Sequence, residues 1–565
     1  MGNKLDLVLM WHMHQPDYRD YVSGEFTQPW VYLHALKDYS DMAAHLERHT
    51  GMRAVVNLVP VLLDQLEDYA QQFAAGEVRD PLLRLLRRDE QIPLAPAERN
   101  LIVERCFNAH HEKMVQPYPA YMRLHELFTS LEKQSPDALL YLSDRFYYDL
   151  LVWYHLAWTG ETVRRNAELV TRLMSTGMGF SLEQRRALHA LIGEIVGGII
   201  PRYAALAATG RVELSVTPHF HPLAPLMLDF RSAREARPSV ALPTAQNYPG
   251  GQARVRFHVD SAIQSHTRRF GRKPEGVWPA EGAVSSNFLQ LMGEMGCHWA
   301  ASSEGVLANS LRTGGEPPAD RQRWLYQPWT LRNGGPMLFF RDDHLSDLIG
   351  FEYAKWHSRD AALNFMAELD AIAEKAGGKT ASGKPLVSVI LDGENCWEYY
   401  PYNGFYFLEA LYAALESHAS IRTTTFADVV NTRRHQPAPL DRLVAGSWVH
   451  GDFGTWIGSP EKNQAWDLLA EAKNCYDLVV DSGRLSQAEI EAATRQLASC
   501  ESSDWFWWLG DYNPAEAVAS FDQLYRANLG RLYRLLKLPE PHSLSQPICT
   551  GGGRPEVGGA MRRAN

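Results

Sequence analysis

The sequence predicts an α/β fold in which parallel strands carry large helical insertions and a helical region follows. Two patterns indicate this fold. In the first part of the chain, short apolar runs alternate with long stretches of helical periodicity, and after about Tyr402 the pattern becomes mostly helical. The length of 565 residues also exceeds what one hydrophobic core usually organises, so we expect a large catalytic domain and at least one smaller unit.

Apolar runs of strand length predict the strands. In chain order they are residues 5–11, 54–59, 212–217, 276–278, 299–302, 337–341 and 386–391. Each run ends where polar or aromatic residues begin. Because the carboxyl ends of parallel strands gather on one side of an α/β fold, functional side chains are expected there.

Helix-start signals organise the C-terminal part. Ser459 precedes a proline at the first helical position, and Ser486 with Glu489 fits a capping box. We therefore expect a catalytic domain over residues 1–401 and a helical domain over 402–538 that contributes to the active-site cleft. The Pro- and Gly-rich segment 539–565 has few apolar residues, which predicts a disordered tail without function.

Composition excludes several classes of protein. A net charge of −10 offers no basic surface for nucleic acid. The first residues lack a secretory signal, and no later stretch reads as long and apolar enough to cross a bilayer. The six scattered cysteines form no CxxC pair, which predicts reduced thiols in a cytoplasmic protein. We expect no cofactor, and the oligomeric state stays open.

Two histidine pairs follow predicted strands. His12 and His14, next to Gln15, end the first strand, and alternate residues of an extended chain face one side. The pair is half of a metal site, a set of donors for substrate hydroxyls, or a buried strand end. His219 and His221 lie between prolines that fix the backbone, as a rigid pocket wall or as a purely structural loop.

Two acidic clusters also follow strands. Glu281 comes after residues 276–278, and Asp392 ends the last predicted strand, with Glu394 two residues later. Each alone is most often a solvated surface group. Together they suggest the two carboxyls of glycoside hydrolysis, one to protonate the leaving oxygen and one to attack the anomeric carbon or activate water. Glu394 is a candidate for raising the pKa of Asp392.

Three further segments combine acidic and aromatic residues. Residues 341–347 could clamp sugar hydroxyls or form an internal ion-pair network, and 451–458 places aromatic side chains next to an aspartate. In 503–508 the consecutive bulky residues cannot all face one ligand, so we interpret this segment as core.

Together, these motifs resemble glycoside hydrolase family 57. His-Gln-Pro, a histidine-bearing second motif, Trp-Pro-x-Glu and Leu-Asp-Gly-Glu-Asn occur in the family's order, and the resemblance runs over residues 5–538. Segments 340–351, 454–469 and 504–511 resemble the α-amylase and amylopullulanase-like branch more than the branching-enzyme branch. The resemblance implies an incomplete (β/α)7 barrel with helical insertions, a C-terminal α-helical domain and a retaining mechanism.

The resemblance also implies roles for individual residues. Glu281 matches the nucleophile and Asp392 the general acid/base. The residues that it places around the sugar are His12, His14, Gln15, His221, Trp278, Arg341, Asp342, His344, Glu394, Asp452 and Trp456. The second motif departs from the family pattern, so Glu213 is left outside the catalytic set.

The implied partner is an α-glucan, cut at α-1,4 bonds with or without α-1,6 bonds. A hydrolase of the α-amylase or amylopullulanase type is favoured, and a 4-α-glucanotransferase with the same catalytic pair is the alternative, since the balance depends on subsite shape. A metal-dependent glycosidase or deacetylase using His12 and His14 is a more distant alternative that predicts inactivation by a chelator. A glycan-binding protein without activity would lose the two acids, and both are present.

Overall fold

The protein, seen in a computed structural model, is built on parallel strands flanked by helices. The structure describes residues 4–312, 319–553 and 560–563. The strands are β1 (Leu5–Met13), β2 (Ala54–Leu58), β3 (Val212–Ser215), β4 (Gly276–Val277), β5 (Trp299–Ser303), β6 (Trp329–Leu331), β7 (Met337–Arg341), β8 (Leu386–Asp392), β9 (Ile421–Thr423) and β10 (Ala438–Leu440). All seven strands expected from the sequence are present, with ends that differ by at most two residues.

The longer helices surround these strands. They are α1 (Ser40–Arg48), α2 (Pro60–Ala75), α3 (Pro96–Cys106), α4 (Pro119–Gln134), α5 (Asp144–Ala157), α6 (Glu168–Thr176), α7 (Leu182–Ala208), α8 (Gly251–Phe270), α9 (Ser286–Glu294), α10 (Glu304–Leu311), α11 (Ser358–Ala376), α12 (Phe405–Ser417), α13 (Pro460–Asp481), α14 (Gln487–Cys500) and α15 (Ala515–Leu535). Shorter α-helices are Trp30–His34, Pro81–Leu86, Glu161–Asn166, Ala224–Leu228, Ala233–Ala236, Arg321–Trp324, Asp343–Asp347, Phe426–Thr432 and Ser503–Trp508.

Seven parallel strands from two sheets are arranged as a ring. β1 lies between β2 and β8, β3 pairs with β2, and β5 lies between β4 and β7. Two contacts join the halves: Val216 bridges Val277 in parallel register, and Asp342 N donates to Ser388 O at 2.7 Å. The order around the ring is therefore β1, β2, β3, β4, β5, β7, β8. It confirms the barrel-type α/β fold expected from the sequence.

Burial on both faces explains the strand sequences. Every residue of β1 and β2 is buried, as is typical of parallel strands covered by helices outside and by side chains inside. Polar residues enter at the carboxyl ends, with His12 in β1, Asn57 in β2 and Asp392 in β8. The apolar part holds the barrel together and leaves the polar end for the site.

After residue 402 the chain forms two further short strands, which pair with earlier ones. β9 pairs with β1 and β10 pairs with β6, and the continuous helical region begins only at Pro460. The sequence interpretation missed these two strands, because three-residue strands carry too little pattern to recognise. Ser459 and Ser486 cap α13 and α14 as the sequence indicates.

Helix α7 corrects one expectation. Among the described residues it is the helix that is long and apolar enough to cross a membrane, so the statement that no stretch passes this test is wrong. One face of α7, with Leu188, Ile192 and Val196, is buried, and the buried Arg185 donates to main-chain carbonyls of the neighbouring helix 81–86. A core helix passes the same test, so this finding alone does not indicate a membrane segment.

The segment after α15 also differs from the expectation of a disordered tail. Residues 539–553 run back along α15, where Arg526 Nη1 donates to Leu544 O at 2.9 Å and Ile548 N donates to Asp522 Oδ1 at 2.8 Å. Leu544 and Ile548 are buried. Composition missed this because hydrogen bonds to polar groups of α15 add to the burial of the few apolar side chains.

Candidate active site

The carboxyl ends of the strands open into a cavity of about 880 Å³. The sequence-predicted site residues that line it are His12, His14, Gln15, His221, Glu281, Arg341, Asp392 and Glu394. The pairing of β1 with β8 sets His12 directly beside Asp392. Strand register thus brings residues far apart in the chain into one site.

Glu281 stands on a turn directly after β4. Its φ of 59° lies in the left-handed region, where a non-glycine residue costs about 1–3 kcal/mol. Trp448 N donates to Glu281 O at 2.9 Å and holds this backbone. Glu281 Oε1 accepts from Ser503 Oγ at 2.8 Å, and Oε2 accepts from Trp448 Nε1 at 3.0 Å. Two donors thus point at one carboxyl, an arrangement that stabilises negative charge.

The pKa of Glu281 is nevertheless raised. Burial, followed by the charges of Asp504 and Asp392, brings the pKa of this carboxyl to about 8, although the Ser503 and Trp448 donors oppose the rise. Glu281 is therefore mainly protonated at neutral pH in the free protein.

Asp392 and Glu394 occupy the other side of the site. Burial raises the pKa of Asp392 to about 6, against the effect of Asn395, whose Nδ2 donates to Oδ2 at 2.9 Å. Burial and then the charge of Asp392 hold the pKa of Glu394 well above its usual range. Glu394 Oε1 accepts from His14 N at 3.0 Å, whereas Oε2 has no partner among the described residues. That oxygen is itself buried in the site.

Three histidine rings pack beside the carboxyls. His14 and His221 are stacked, with ring centroids 3.8 Å apart, and His12 Nε2 lies 3.2 Å from His221 Nε2. Burial, together with the neighbouring histidines, lowers the pKa of His12 to about 3 and holds the pKa of His221 well below its usual range. Both rings are therefore neutral.

Hydrogen bonds assign the tautomers of these neutral rings. The amide oxygen of Asn57 accepts from Thr217 Oγ1 at 3.0 Å and from His12 Nδ1 at 2.7 Å. His12 then accepts at Nε2, so His221 donates to it from Nε2. His221 Nδ1 is left as an acceptor, and it lies 2.8 Å from Ser503 Oγ.

Ser503 connects this pair of histidines to Glu281. Its hydroxyl carries one proton and lies 2.8 Å from both His221 Nδ1 and Glu281 Oε1. While Ser503 donates to His221, a protonated Glu281 donates to Ser503. When Glu281 ionises, the hydroxyl proton turns towards the carboxylate and His221 loses its donor. The charge of Glu281 is thus coupled to the histidines.

His14, His221 and Asp504 form a group of potential metal ligands. Their ligand atoms lie within 4.8 Å of one another, and His14 Nε2 is 2.8 Å from Asp504 Oδ2. Burial would raise the pKa of Asp504, but the charge and hydrogen bond of His14 lower it. The two rings are only 13° from parallel, so their lone pairs run side by side instead of converging. This geometry favours the His14–Asp504 hydrogen bond over a metal ion.

The segment 341–347 was expected either to contact the sugar or to form an ion-pair network, and Arg341 is placed for both. It lines the cavity, where its guanidinium lies 5.5 Å from the Trp448 ring centroid, and it pairs with Asp347 at 2.7 Å and Asp343 at 3.2 Å. Ser346 and Asp347 of the same segment also line the cavity, so the segment combines a cavity wall with an ion-pair network.

Five residues that the resemblance placed around the sugar do not line the cavity. They are Trp278, Asp342, His344, Asp452 and Trp456. Trp278 and Trp456 are 0% exposed and pack within the core. Asp342 caps the helix 343–347, on which His344 is exposed, and Asp452 accepts from Gly454 N at 2.7 Å in its own loop. Proximity to a motif in sequence did not determine where these side chains point.

The sequence interpretation missed residues of the C-terminal region. Asp504, Trp507 and Trp508 line the cavity, although the segment 503–508 was interpreted as core. Their i, i+3, i+4 spacing puts them on one face of a helix, which was the available signal, while Trp505 and Phe506 are 0% exposed. Trp448 lies outside every motif that the sequence suggested.

A parallel barrel with two carboxyls in one cavity at its strand ends is the arrangement that glycoside hydrolysis requires. The model of glycosyl hydrolase family 57 matches residues 8–441. The chain belongs to this family of α-glucan-active enzymes, as the motif resemblance predicted.

Solved structures of the family share the fold. A GH57 branching enzyme from Thermococcus kodakaraensis has a TM-score of 0.57 at 16% identity, covering 94% of this chain and 90% of its own. The branching enzyme from Pyrococcus horikoshii gives 0.55 at 16%, covering 100% of both chains. The α-amylase AmyC from Thermotoga maritima gives 0.57 at 13%, covering 95% and 93%. No curated protein sequence matches the chain.

Proposed function

We propose that the protein is a retaining glycoside hydrolase acting on α-glucans, with Glu281 as nucleophile and Asp392 as general acid/base. The observation that carries the proposal is the presence of these two carboxyls, one following β4 and one ending β8, in one cavity of a family 57 barrel. His12 and His221, both neutral, pack beside these carboxyls and connect to Glu281 through Ser503.

The reaction proceeds in two displacements. Glu281 Oε attacks the anomeric carbon while the glycosidic C–O bond breaks, and Asp392 gives its proton to the leaving oxygen. Water then attacks the same carbon, Asp392 takes a proton from that water, and the ester bond to Glu281 breaks. Both carboxyls end in their starting states, with net hydrolysis of one bond.

The pKa order sets a condition on this assignment. With pKa values of about 8 for Glu281 and about 6 for Asp392, the proton of the free pair resides mainly on Glu281. The reactive form has that proton on Asp392 instead, so it is a minor protonation state. The Ser503 and Trp448 donors support the carboxylate of Glu281 in that state.

The finer activity is part of the proposal. We favour an α-amylase or amylopullulanase type hydrolase that cuts α-1,4 bonds, with or without α-1,6 bonds. A 4-α-glucanotransferase with the same pair is the second candidate, since the large cavity also has room for an acceptor sugar in place of water. All six cysteines are free thiols, which supports the proposal of a cytoplasmic location.

Product analysis tests the pair. Wild type, Glu281→Gln and Asp392→Asn are incubated with maltoheptaose and with pullulan, with and without a chelator. Shorter products from wild type alone, unaffected by chelator, support hydrolysis, and longer products support glucan transfer. Glu213→Gln is the matched control, because Glu213 is a buried carboxyl with its pKa raised to about 7 that bonds to Trp299 and Ala427 away from the cavity.

Azide distinguishes the two roles. With an α-glycosyl fluoride, Glu281→Ala plus azide should yield the β-glycosyl azide, because azide replaces the missing nucleophile on the opposite face. Asp392→Ala plus azide should yield the α-glycosyl azide through the intact intermediate. The reverse pattern would exchange the roles of Glu281 and Asp392. Activity that is lost only with chelator would return the histidines to a metal-dependent mechanism.

A further inference from the structure

The last described residues of the chain form part of the cavity wall. Ala560, Met561 and Arg562 line the same cavity as Glu281 and Asp392. The Met561 side chain is 7% exposed, so it is packed and does not extend into solvent. Residues 560–563 are called the terminal segment below.

The path of the preceding residues leads to this wall. Contacts at successive turns of α15 guide residues 539–553 from the end of that helix back to its start: Glu540 with Arg534, Leu544 with Arg526, Ile548 with Asp522, and Gly552 with Asn513. The first turns of α15, with Glu516 and Ser520, also line the cavity. The chain is therefore brought to the cavity by specific bonds.

A glycine run makes this path specific. A Cβ on Gly553 would lie 2.2 Å from the main chain of Tyr512, which is closer than any side chain permits. Gly551 and Gly552 have φ values of 66° and 127°, which favour glycine. The run holds the segment against the protein, whereas composition alone predicted a disordered tail.

Adjacent arginines of the terminal segment bind two different walls. The Arg562 guanidinium lies 3.8 Å from the ring centroid of Tyr512, in the helical region. Arg563 Nη2 donates to Glu352 Oε1 at 2.5 Å, and its guanidinium lies 5.0 Å from the ring of Phe351, in the segment after β7. Phe351 itself lines the cavity. The segment thus bridges the helical region and the barrel.

We propose that the terminal segment closes one end of the cavity and limits the length of α-glucan chain accepted there, an inference that rests on the proposed function. A longer chain has to displace the segment before it passes Met561. The Arg563 and Glu352 side chains are 36% and 33% exposed, so their ion pair is weak and sensitive to salt. The closure is therefore displaceable, and it selects against long chains without excluding them.

Two full-length variants release the segment without touching the catalytic residues. Glu352→Gln removes the partner of Arg563, and Gly553→Ala forces the chain away from Tyr512. Lys355→Ala is the control for the first variant, since Lys355 Nζ is the other cation at Glu352, at 3.2 Å. Gly198→Ala is the control for the second, because a Cβ at Gly198 meets nothing within 4 Å.

The measured quantity is the ratio of kcat/KM for amylose to kcat/KM for maltotetraose. Both release variants should raise this ratio by about two- to fivefold, the effect of losing one exposed ion pair, while both controls keep the wild-type ratio. High salt should raise the ratio of wild type and leave that of Glu352→Gln unchanged. Hydrogen exchange of the C-terminal peptide, faster in the release variants, verifies displacement.

Each result decides the inference. An unchanged or lower ratio, with faster exchange of the C-terminal peptide, overturns the inference and leaves the proposed function intact. Unchanged exchange in both release variants overturns the anchoring itself. Absence of glucan turnover in wild type refutes the proposed function, and the limit on chain length falls with it.

Discussion

Ser503→Ala tests the coupling between Glu281 and the histidines. The substitution removes the hydroxyl that lies 2.8 Å from both Glu281 Oε1 and His221 Nδ1. Trp448 Nε1 remains as the other donor to the carboxyl, at 3.0 Å. Because a donor to a carboxylate stabilises its charged form, its loss raises the pKa of Glu281 above about 8.

The size of the effect follows from the bond that is lost. A hydrogen bond to a charged group contributes about 1.5–3 kcal/mol, and 1.36 kcal/mol corresponds to one pKa unit. The pKa of Glu281 should therefore rise by about one to two units. Near pH 7 the reactive form with ionised Glu281 becomes rarer by the same factor, so kcat/KM should fall about ten- to a hundredfold.

The assay is the pH profile of kcat/KM on maltoheptaose. For wild type, the pKa values of Asp392 and Glu281 place the limbs near pH 6 and pH 8, because the reactive form lies between full protonation and full ionisation of the pair. Ser503→Ala should move the upper limb to higher pH and leave the lower limb in place. Ser503→Thr keeps a hydroxyl and should restore the profile. Equal loss at every pH, with both limbs unmoved, would refute the coupling and leave Ser503 only a structural role.

Three further perturbations test the surroundings of the site. Asp6 is buried and bonded to two basic side chains and His435, which together hold its pKa below the usual range in spite of burial. Asp6→Asn should therefore lower the free energy of unfolding, measured by urea titration near pH 7, by about 3–5 kcal/mol. The difference from wild type should shrink as the pH falls below about 4. An unchanged urea midpoint at neutral pH would contradict this expectation. Glu281 should change stability with pH in the opposite direction. Its pKa in the folded protein, about 8, lies above the ordinary value, so the free energy of unfolding of wild type should fall from about pH 4.5 up to about pH 8. Glu281→Gln should lack that decline, and parallel stability curves for the two proteins would disprove the expectation. The pKa of Glu394 is held well above its usual range, so the neutral Glu394→Gln should lower kcat/KM by less than about tenfold, the effect of one neutral hydrogen bond. Asp392→Asn should lower kcat/KM far more. Equal losses in the two variants would assign Glu394 a role in proton transfer.

The barrel could be predicted because its strands are buried on both faces. Such strands need continuous apolar runs, and Leu5–Met13 and Leu386–Asp392 show them clearly. β6, β9 and β10 have three residues each and cannot carry a periodic pattern. The C-terminal segment was missed for a different reason, since main-chain donors and glycine geometry hold it as much as apolar side chains do.

The site could be predicted where strand ends determine it. His12, Glu281 and Asp392 lie at the carboxyl ends of strands of one parallel ring, so their approach is a consequence of topology. Asp342 directly follows Arg341 in the chain, yet it caps a helix because consecutive residues point in different directions where a strand ends. Ser503 reaches Glu281 only through the packing of the helical region on the barrel, which no local pattern reports.

The contact between His14 and Asp504 joins residues 490 positions apart. Synthesis from the amino terminus therefore delivers all seven ring strands, with both proposed catalytic carboxyls, well before the segment 503–508 exists. Until that segment docks, Glu281 lacks its hydrogen bond to Ser503, and the imidazole of His14 lacks its hydrogen bond to Asp504. Contacts this distant along the chain form late, because closing so long a loop is entropically costly. In a nascent chain, Glu281 thus lacks a hydrogen bond that stabilises its carboxylate form. We expect the proposed active site to be complete only after the final helices have folded.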